Sequence, residues 1–320
     1  MRLRLTRFVA PLLAALLLPV ATVAQQSSET ARATSPRGLP GDTGGAAAAA
    51  RRLRALYDQR DFEGACIEGR VLVRRFPAST ELRAWWIAAR AANGPHEEAL
   101  AAAGSLARAH PGDRWADFAR VEVLARSAEP RRALALARRG HATAPRDPDM
   151  TRALVDALSA AGQYEAIVAL VDTAIADGRA TAGLLAAKSE AEQAAAWGAK
   201  QDTTAHARAE ATARQALRAD STDFAAQLAL ADALANRGDN AAAYPEYRRL
   251  LTLAPLSRAA HEEYWSGILS LKDRTPEQKR EEITRAAKPL LAARGDYPGV
   301  LQAVAGIYRR VQATAAADSL

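Results

Sequence analysis

Residues 148–177 read PDMTRALVDALSAAGQYEAIVALVDTAIAD, and residues 224–255 read FAAQLALADALANRGDNAAAYPEYRRLLTLAP. Leu154, Val155 and Leu158 recur at i, i+1 and i+4 in the first, as Leu230, Ala231 and Leu234 do in the second. That spacing places three apolar side chains on one face of a helix. Gly162 and Gly238 follow these runs, and a glycine there can take the left-handed conformation that ends a helix. A further apolar run begins just beyond, so each stretch predicts two helices joined by a tight turn.

Working outward, Pro77, Pro111 and Pro145 are spaced by 34 residues, and each follows an alanine by twelve: Ala65, Ala99 and Ala133. Pro255 and Ala243 keep the same offset, but Pro255 lies eight residues beyond the fifth period from Pro77. Gly162 and Tyr164 hold the original register while Ala209 and Ala216 hold the shifted one, which puts an eight-residue insertion near Trp197–Thr204 and predicts a protruding turn there. A fixed period of this length marks a repeat array. Alanine early in the second helix lets the two helices approach, where a larger side chain would overpack at a cost of about 1–3 kcal/mol. Proline stops that helix. A single pair buries one face only, so stability comes from stacking on neighbours.

These markers, with Gly94 beside Gly162 and Gly238 at the turns, resemble the tetratricopeptide repeat family. The resemblance implies an all-α fold, an α-solenoid of stacked helix-turn-helix repeats forming a right-handed superhelix. The units run 46–79, 80–113, 114–147, 148–181, 182–223 and 224–257. A degenerate seventh pair near 258–272 and 276–293, and a last helix from about Pro298, fill 258–320. Arg90 and Glu192 stand where the family is usually apolar, and Arg179 and Ser221 replace its terminal proline.

In this family the first helix of each unit lines a concave groove that holds a protein or peptide partner. Carried over, Trp115, Phe118, Glu122 and Arg126 line it from the third unit, and Asp149, Arg152 and Asp156 from the fourth. Glu190, Gln193, Leu228, Asp232 and Asn236 follow from the fifth and sixth. Glu122, Asp156, Glu190 and Asp232 then form an acidic stripe beside an apolar patch of Trp115 and Phe118, which suits a basic segment with an aromatic or aliphatic anchor. The other reading is a solvated face. The lysine and asparagine with which some members clamp a terminal carboxylate are absent.

Composition agrees with helices. Of 320 residues, 49% are apolar but only 5% aromatic, so alanine and leucine carry the apolar fraction and favour helix over strand. The 43 basic and 36 acidic residues are intermixed, and a net +7 spread in this way does not make a nucleic-acid surface. A single cysteine, Cys66, excludes a disulfide framework; it is either a small buried hydrophobe or a link to a partner chain. The five histidines are scattered, and no Gly-rich phosphate loop or Gly-x-Ser-x-Gly elbow occurs, so no catalytic, cofactor or metal residue is expected. Arg294-Gly295-Asp296 reads as an ordinary helix-end turn.

The N-terminus carries Arg2, Arg4 and Arg7 before FVAPLLAALLLPVATVA, with Thr22 and Ala24 as small residues at its end. This predicts a signal peptide over 1–24, cleaved before Gln25, and export to the periplasm or cell envelope. The proline-broken run is shorter than the ~20 apolar residues of a membrane anchor. Residues 25–45, rich in Ser, Thr, Gly and Pro, read as a flexible linker. Two roles fit: a scaffold for a partner protein, in envelope assembly or polysaccharide export, and a structural spacer or soluble subunit of a larger outer-membrane machine.

Overall fold

The computed structural model describes residues 45–94, 96–198 and 203–311. The expected signal segment 1–24, and the linker up to residue 44, lie outside the described residues. The first six helix pairs are α1 Ala46–Asp58 with α2 Phe62–Arg75, α3 Thr80–Asn93 with α4 His96–Ala109, and α5 Arg114–Ala125 with α6 Pro130–Thr143, followed by α7 Pro148–Ala160 with α8 Tyr164–Ala176, α9 Ala182–Gly198 with α10 Thr203–Ala219, and α11 Phe224–Asn236 with α12 Asn240–Leu253. Then come α13 Arg258–Ser270, α14 Pro276–Arg294 and α15 Pro298–Arg310. Among the described residues there is no strand, and no helix is long and apolar enough to cross a membrane.

Local sequence sets the helix starts. The side chains of Asp61, Ser79, Asp113, Asp147, Asp223, Asp239, Ser257 and Thr275 each accept a backbone N–H in the first turn of the helix they precede, satisfying a donor that the helix itself cannot, for about 1 kcal/mol each. Gly162 and Gly238 adopt φ of +68° and +92° and end α7 and α11. Gly94, expected to do the same, instead sits at φ −167°. Pro95 follows it, and the residue before a proline is driven to extended backbone.

The odd-numbered helices α1, α3, α5, α7, α9 and α11 touch one another in succession and form one layer, while each even-numbered helix packs between the two odd-numbered helices flanking it in sequence. The repeated alanines sit where the helices of a pair meet: Ala65, Ala99, Ala133 and Ala209 are fully buried and Ala243 is 1% exposed. Ala99→Phe is therefore expected to lower the stability of the first three units by about 1–3 kcal/mol through overpacking, seen as an earlier denaturation transition in Trp85 fluorescence.

The eight extra residues of the fifth unit lengthen both of its helices, which run 17 residues each where α7 and α8 run 13; the alanine-rich sequence there favours extension of helix over loop. The turn at 199–202 lies outside the described residues. Trp85 is fully buried, whereas its neighbour Trp86 is half-buried and donates its Nε1 proton to the Cys66 carbonyl at 3.1 Å. The polar residues at apolar positions are satisfied sideways: Arg90 pairs with Glu98 and lies 5.0 Å from the Trp86 ring centroid, and Glu192 accepts from Thr212 at 2.9 Å.

Candidate functional site

The turn joining α1 to α2 does not stay within its own unit. Tyr57, at the end of α1, is buried; its hydroxyl donates to Glu122 Oε2 at 2.5 Å and accepts from Arg126 Nη2 at 2.5 Å. Arg126 also donates to Glu122 Oε2 at 2.8 Å, and the guanidinium carbons of Arg126 and Arg152 lie 5.6 and 5.1 Å from the Tyr57 ring centroid. Arg152 pairs with Asp58. One turn earlier in α1, Arg54 meets Asp149 at 2.8 Å. Further along, Arg60 faces Glu190 at 3.8 Å, and its carbonyl accepts from Ser257 Oγ at 3.0 Å.

The same segment then reaches the far end of the array. Asp61 is gripped by Arg294, with Nη2 donating to Oδ2 at 2.7 Å, and Glu63 accepts from Arg258 Nε at 2.6 Å. Asp61 and Glu63 are both buried. Residues 57–63 thus bond to α5, α7, α9, α13 and α14 in turn, so a stretch of this chain already lies along the layer of odd-numbered helices and ties the first unit to the seventh. Two backbone features fit that placement. Arg60 has φ +54°, the one non-glycine residue with positive φ among those described, a conformation that persists only when its surroundings impose it. At Gly64, a Cβ would lie 2.5 Å from Asp61 Oδ2 and 2.7 Å from Arg294 Nη2, so the clasp leaves no room for a side chain.

Charge in this cluster is closely balanced. Burial would raise the Glu122 carboxyl, but the Arg126 and Arg152 guanidiniums and the Tyr57 hydroxyl outweigh it and hold the group below its ordinary range. Asp156 is pushed up to about 7, by withdrawal from water first and by the charge of Glu122 second, with Arg152 and Arg126 opposing. Tyr57 is raised by burial. The acid pair therefore keeps a proton into the neutral range, held on Asp156.

Linkage gives the sign. Asp156 is protonated in the native state and ionised in the unfolded state between about pH 4 and about pH 7, so its contribution to stability declines as pH rises across that window and levels off above it. Glu122 acts oppositely, losing its contribution only as pH falls below its ordinary range near 4. Chemical denaturation between pH 4.5 and 8 should show a midpoint that falls with pH in this way, and Asp156→Asn should flatten it.

The residues expected in the groove are distributed as follows. Glu122, Arg126, Arg152 and Asp156 come together around Tyr57; Glu190 stands farther along, opposite Arg60; and Asp232 accepts the Tyr247 hydroxyl at 2.5 Å, apart from the others. The expected open acidic stripe is thus taken up by internal partners. Trp115 and Phe118 do not form an exposed patch: Trp115 is 8% and Phe118 0% exposed, with ring centroids 6.1 and 4.7 Å from that of Trp85. Aromatic rings with this much area and such neighbours gain more from mutual burial than from facing water. Asp149 and Gln193 are buried too, on Arg54 and Asn236 respectively.

No family model matches the chain, and no curated protein matches it in sequence. Solved structures do match in shape. A tetratricopeptide repeat protein from Parabacteroides merdae superposes with a TM-score of 0.51 at 12% identity, over 83% of this chain and 98% of that one. The fold is that of the tetratricopeptide repeat proteins. The APC/C hetero-tetramer Cut9-Hcn1 gives 0.55 at 12% identity, over 81% of this chain, which spans about half (48%) of its matched chain. The human IFIT1 dimer with PPP-AAAA gives 0.52 at 12%, over 86% of this chain and 70% of that one. At such identity the tetratricopeptide likeness is one of fold, and the residues at 57–63, 258 and 294 belong to this sequence's own account.

Proposed function

We propose that this chain is an exported tetratricopeptide-type scaffold without catalytic activity, which binds a segment of a partner protein along its layer of odd-numbered helices. The observation that carries this reading is that a polypeptide segment, residues 57–63, already lies on that layer with its side chains matched one by one. A surface that engages one inter-helix turn through successive units offers matched side chains to a partner segment as well, and stacked repeats generate such surfaces without a catalytic constellation. Export rests on the basic, short and small-residue-terminated N-terminus; roles in envelope assembly or polysaccharide export follow from that placement.

A photocrosslinking residue at Asp232, half-buried and beyond the Tyr57 cluster, should give a partner adduct in intact cells, whereas the same group at exposed Val71 on α2 should not. Adducts from Val71 alone would move partner binding off the inner layer. The intact mass of the exported protein should begin at Gln25; a membrane-retained chain that keeps residues 1–24 would refute the export reading.

A further inference from the structure

Helices α12, α13 and α14 enclose a cavity of about 510 Å³, a volume in the range of small-molecule sites. The chain makes room for it locally. The connector from α13 to α14, residues 271–275, is five residues long where those from α7 to α8 and from α11 to α12 are three, and α13 touches α14 less extensively than α11 touches α12. Arg248 and Leu251 line the cavity from one face of α12, Glu281 and Arg285 from one face of α14, and Arg274 from the connector. One side of it is a closed network. Tyr264, 5% exposed, donates to Glu282 Oε1 at 2.7 Å, Tyr244 donates to the same oxygen, and Arg274 donates to Oε2 at 3.3 Å. The two phenol rings lie 5.8 Å apart, centroid to centroid. Glu282 thus shares its charge among three donors, and both phenol protons are spent on it; burial above all raises the two phenols, which stay protonated.

The groups left over are donors. Arg248 makes no hydrogen bond or ion pair among the described residues. Arg274 spends one N–H on Glu282, and Arg285 spends one on Glu281 at 2.7 Å, out of the five that each guanidinium carries. The Gln278 side-chain oxygen accepts the Thr275 amide and leaves its own two N–H donors to the cavity. Glu281, the other carboxylate of the lining, keeps 74% of its side chain in water. Three guanidiniums therefore face two carboxylates, one saturated and one hydrated. We propose that this cavity binds a small organic phosphate, with the phosphate on Arg248, Arg274 and Arg285 and the organic body against Leu251 and the Tyr244 ring. Guanidinium forks match phosphate oxygens in pairs, and a phosphate monoester offers three terminal oxygens to three guanidiniums where a carboxylate offers two. The site shares no residue with the layer that the scaffold reading uses, so the two stand or fall separately.

The test titrates the full chain with phenyl phosphate at constant ionic strength, followed by calorimetry. Saturable binding to one site is expected, with a Kd of about 1 mM or below. Arg248→Ala breaks no bond of the fold and should weaken that binding at least ~10-fold. Arg131→Ala, which removes an exposed arginine of α6, should leave it unchanged. Inorganic phosphate should bind more weakly than phenyl phosphate because it lacks the body that rests on Leu251, and benzoate more weakly because it offers fewer oxygens. Binding that does not saturate by ~10 mM would overturn the proposal. Equal affinities in the Arg248→Ala and Arg131→Ala variants would overturn it as well, and reduce the arginines to a general surface charge. Benzoate bound as tightly as phenyl phosphate would refute the choice of phosphate, and inorganic phosphate bound as tightly would refute the organic body.

Discussion

Arg126→Ala is expected to destabilise the first four units by about 3–5 kcal/mol, the usual loss when one partner of a buried ion pair is removed. Glu122 is fully buried, and Arg126 supplies its only direct cationic hydrogen bond while also donating to the Tyr57 hydroxyl. The substitution strands a carboxylate in a place water does not reach. Glu122→Gln added to Arg126→Ala should recover a large part of the loss, because the stranded charge is then gone. By contrast Arg152→Ala should cost less, since its partners Asp58 and Asp156 keep 42% and 31% of their side-chain surface in water and can hydrate. Denaturation followed by the fluorescence of Trp85 and Trp115 in a background with Trp86, Trp197 and Trp265 changed to phenylalanine reads this region selectively, which matters because stacked repeats need not unfold as one cooperative unit. Equal effects for Arg126→Ala and Arg152→Ala would mean that burial of Glu122 does not set the energy.

The second large effect is expected at the clasp between the first and seventh units. Arg258→Ala with Arg294→Ala removes both guanidiniums from Glu63 and Asp61, whose side chains are 4% and 6% exposed. Asp61 keeps its bond from the Gly64 amide at 3.0 Å, which moderates the loss at that residue. Glu63 has no such reserve, so the turn is expected to leave the inner layer and not merely loosen. Gly64→Ala should reproduce the effect without touching any charge, because its Cβ would occupy the space between Asp61 and Arg294. Agreement between the charge deletion and the steric insertion separates a specific clasp from a general electrostatic loss.

The sequence makes the repeat legible because the physics behind it is local. Alanine where two helices touch, glycine where a chain reverses and proline where a helix stops each leave a mark at a fixed spacing, and the helix pairs follow. The eight-residue insertion is visible as a shift of register at Trp197–Thr204, while the lengthening of α9 and α10 to 17 residues each rests on the alanine-rich sequence that flanks it. The site is less legible. Family positions located Glu122, Arg126, Arg152 and Asp156, which do converge, but not what they converge on. No marker in the sequence singles out Tyr57, Asp58, Asp61 or Glu63, and Arg294 reads as part of a turn tripeptide. Their partners lie 65 to 233 residues away in sequence, and no periodic pattern encodes a meeting between the two ends of an array. Trp115 and Phe118 were placed on the right helix and given the wrong exposure, because Trp85 from the preceding unit covers them.

The central claim is that residues 57–63 occupy the inner layer of the solenoid. Amide hydrogen exchange resolved over this segment tests it most directly, since a docked turn opens only with the bonds that hold it. The amides of Arg60 and Asp61, bonded to the carbonyls of Tyr57 and Leu56 at 2.9 and 2.8 Å, should exchange as slowly as those in the middle of α5 in the wild type, and at least ~100-fold faster in the Arg258→Ala, Arg294→Ala variant. Exchange of these amides at the rate of an exposed loop in the wild type would contradict the account.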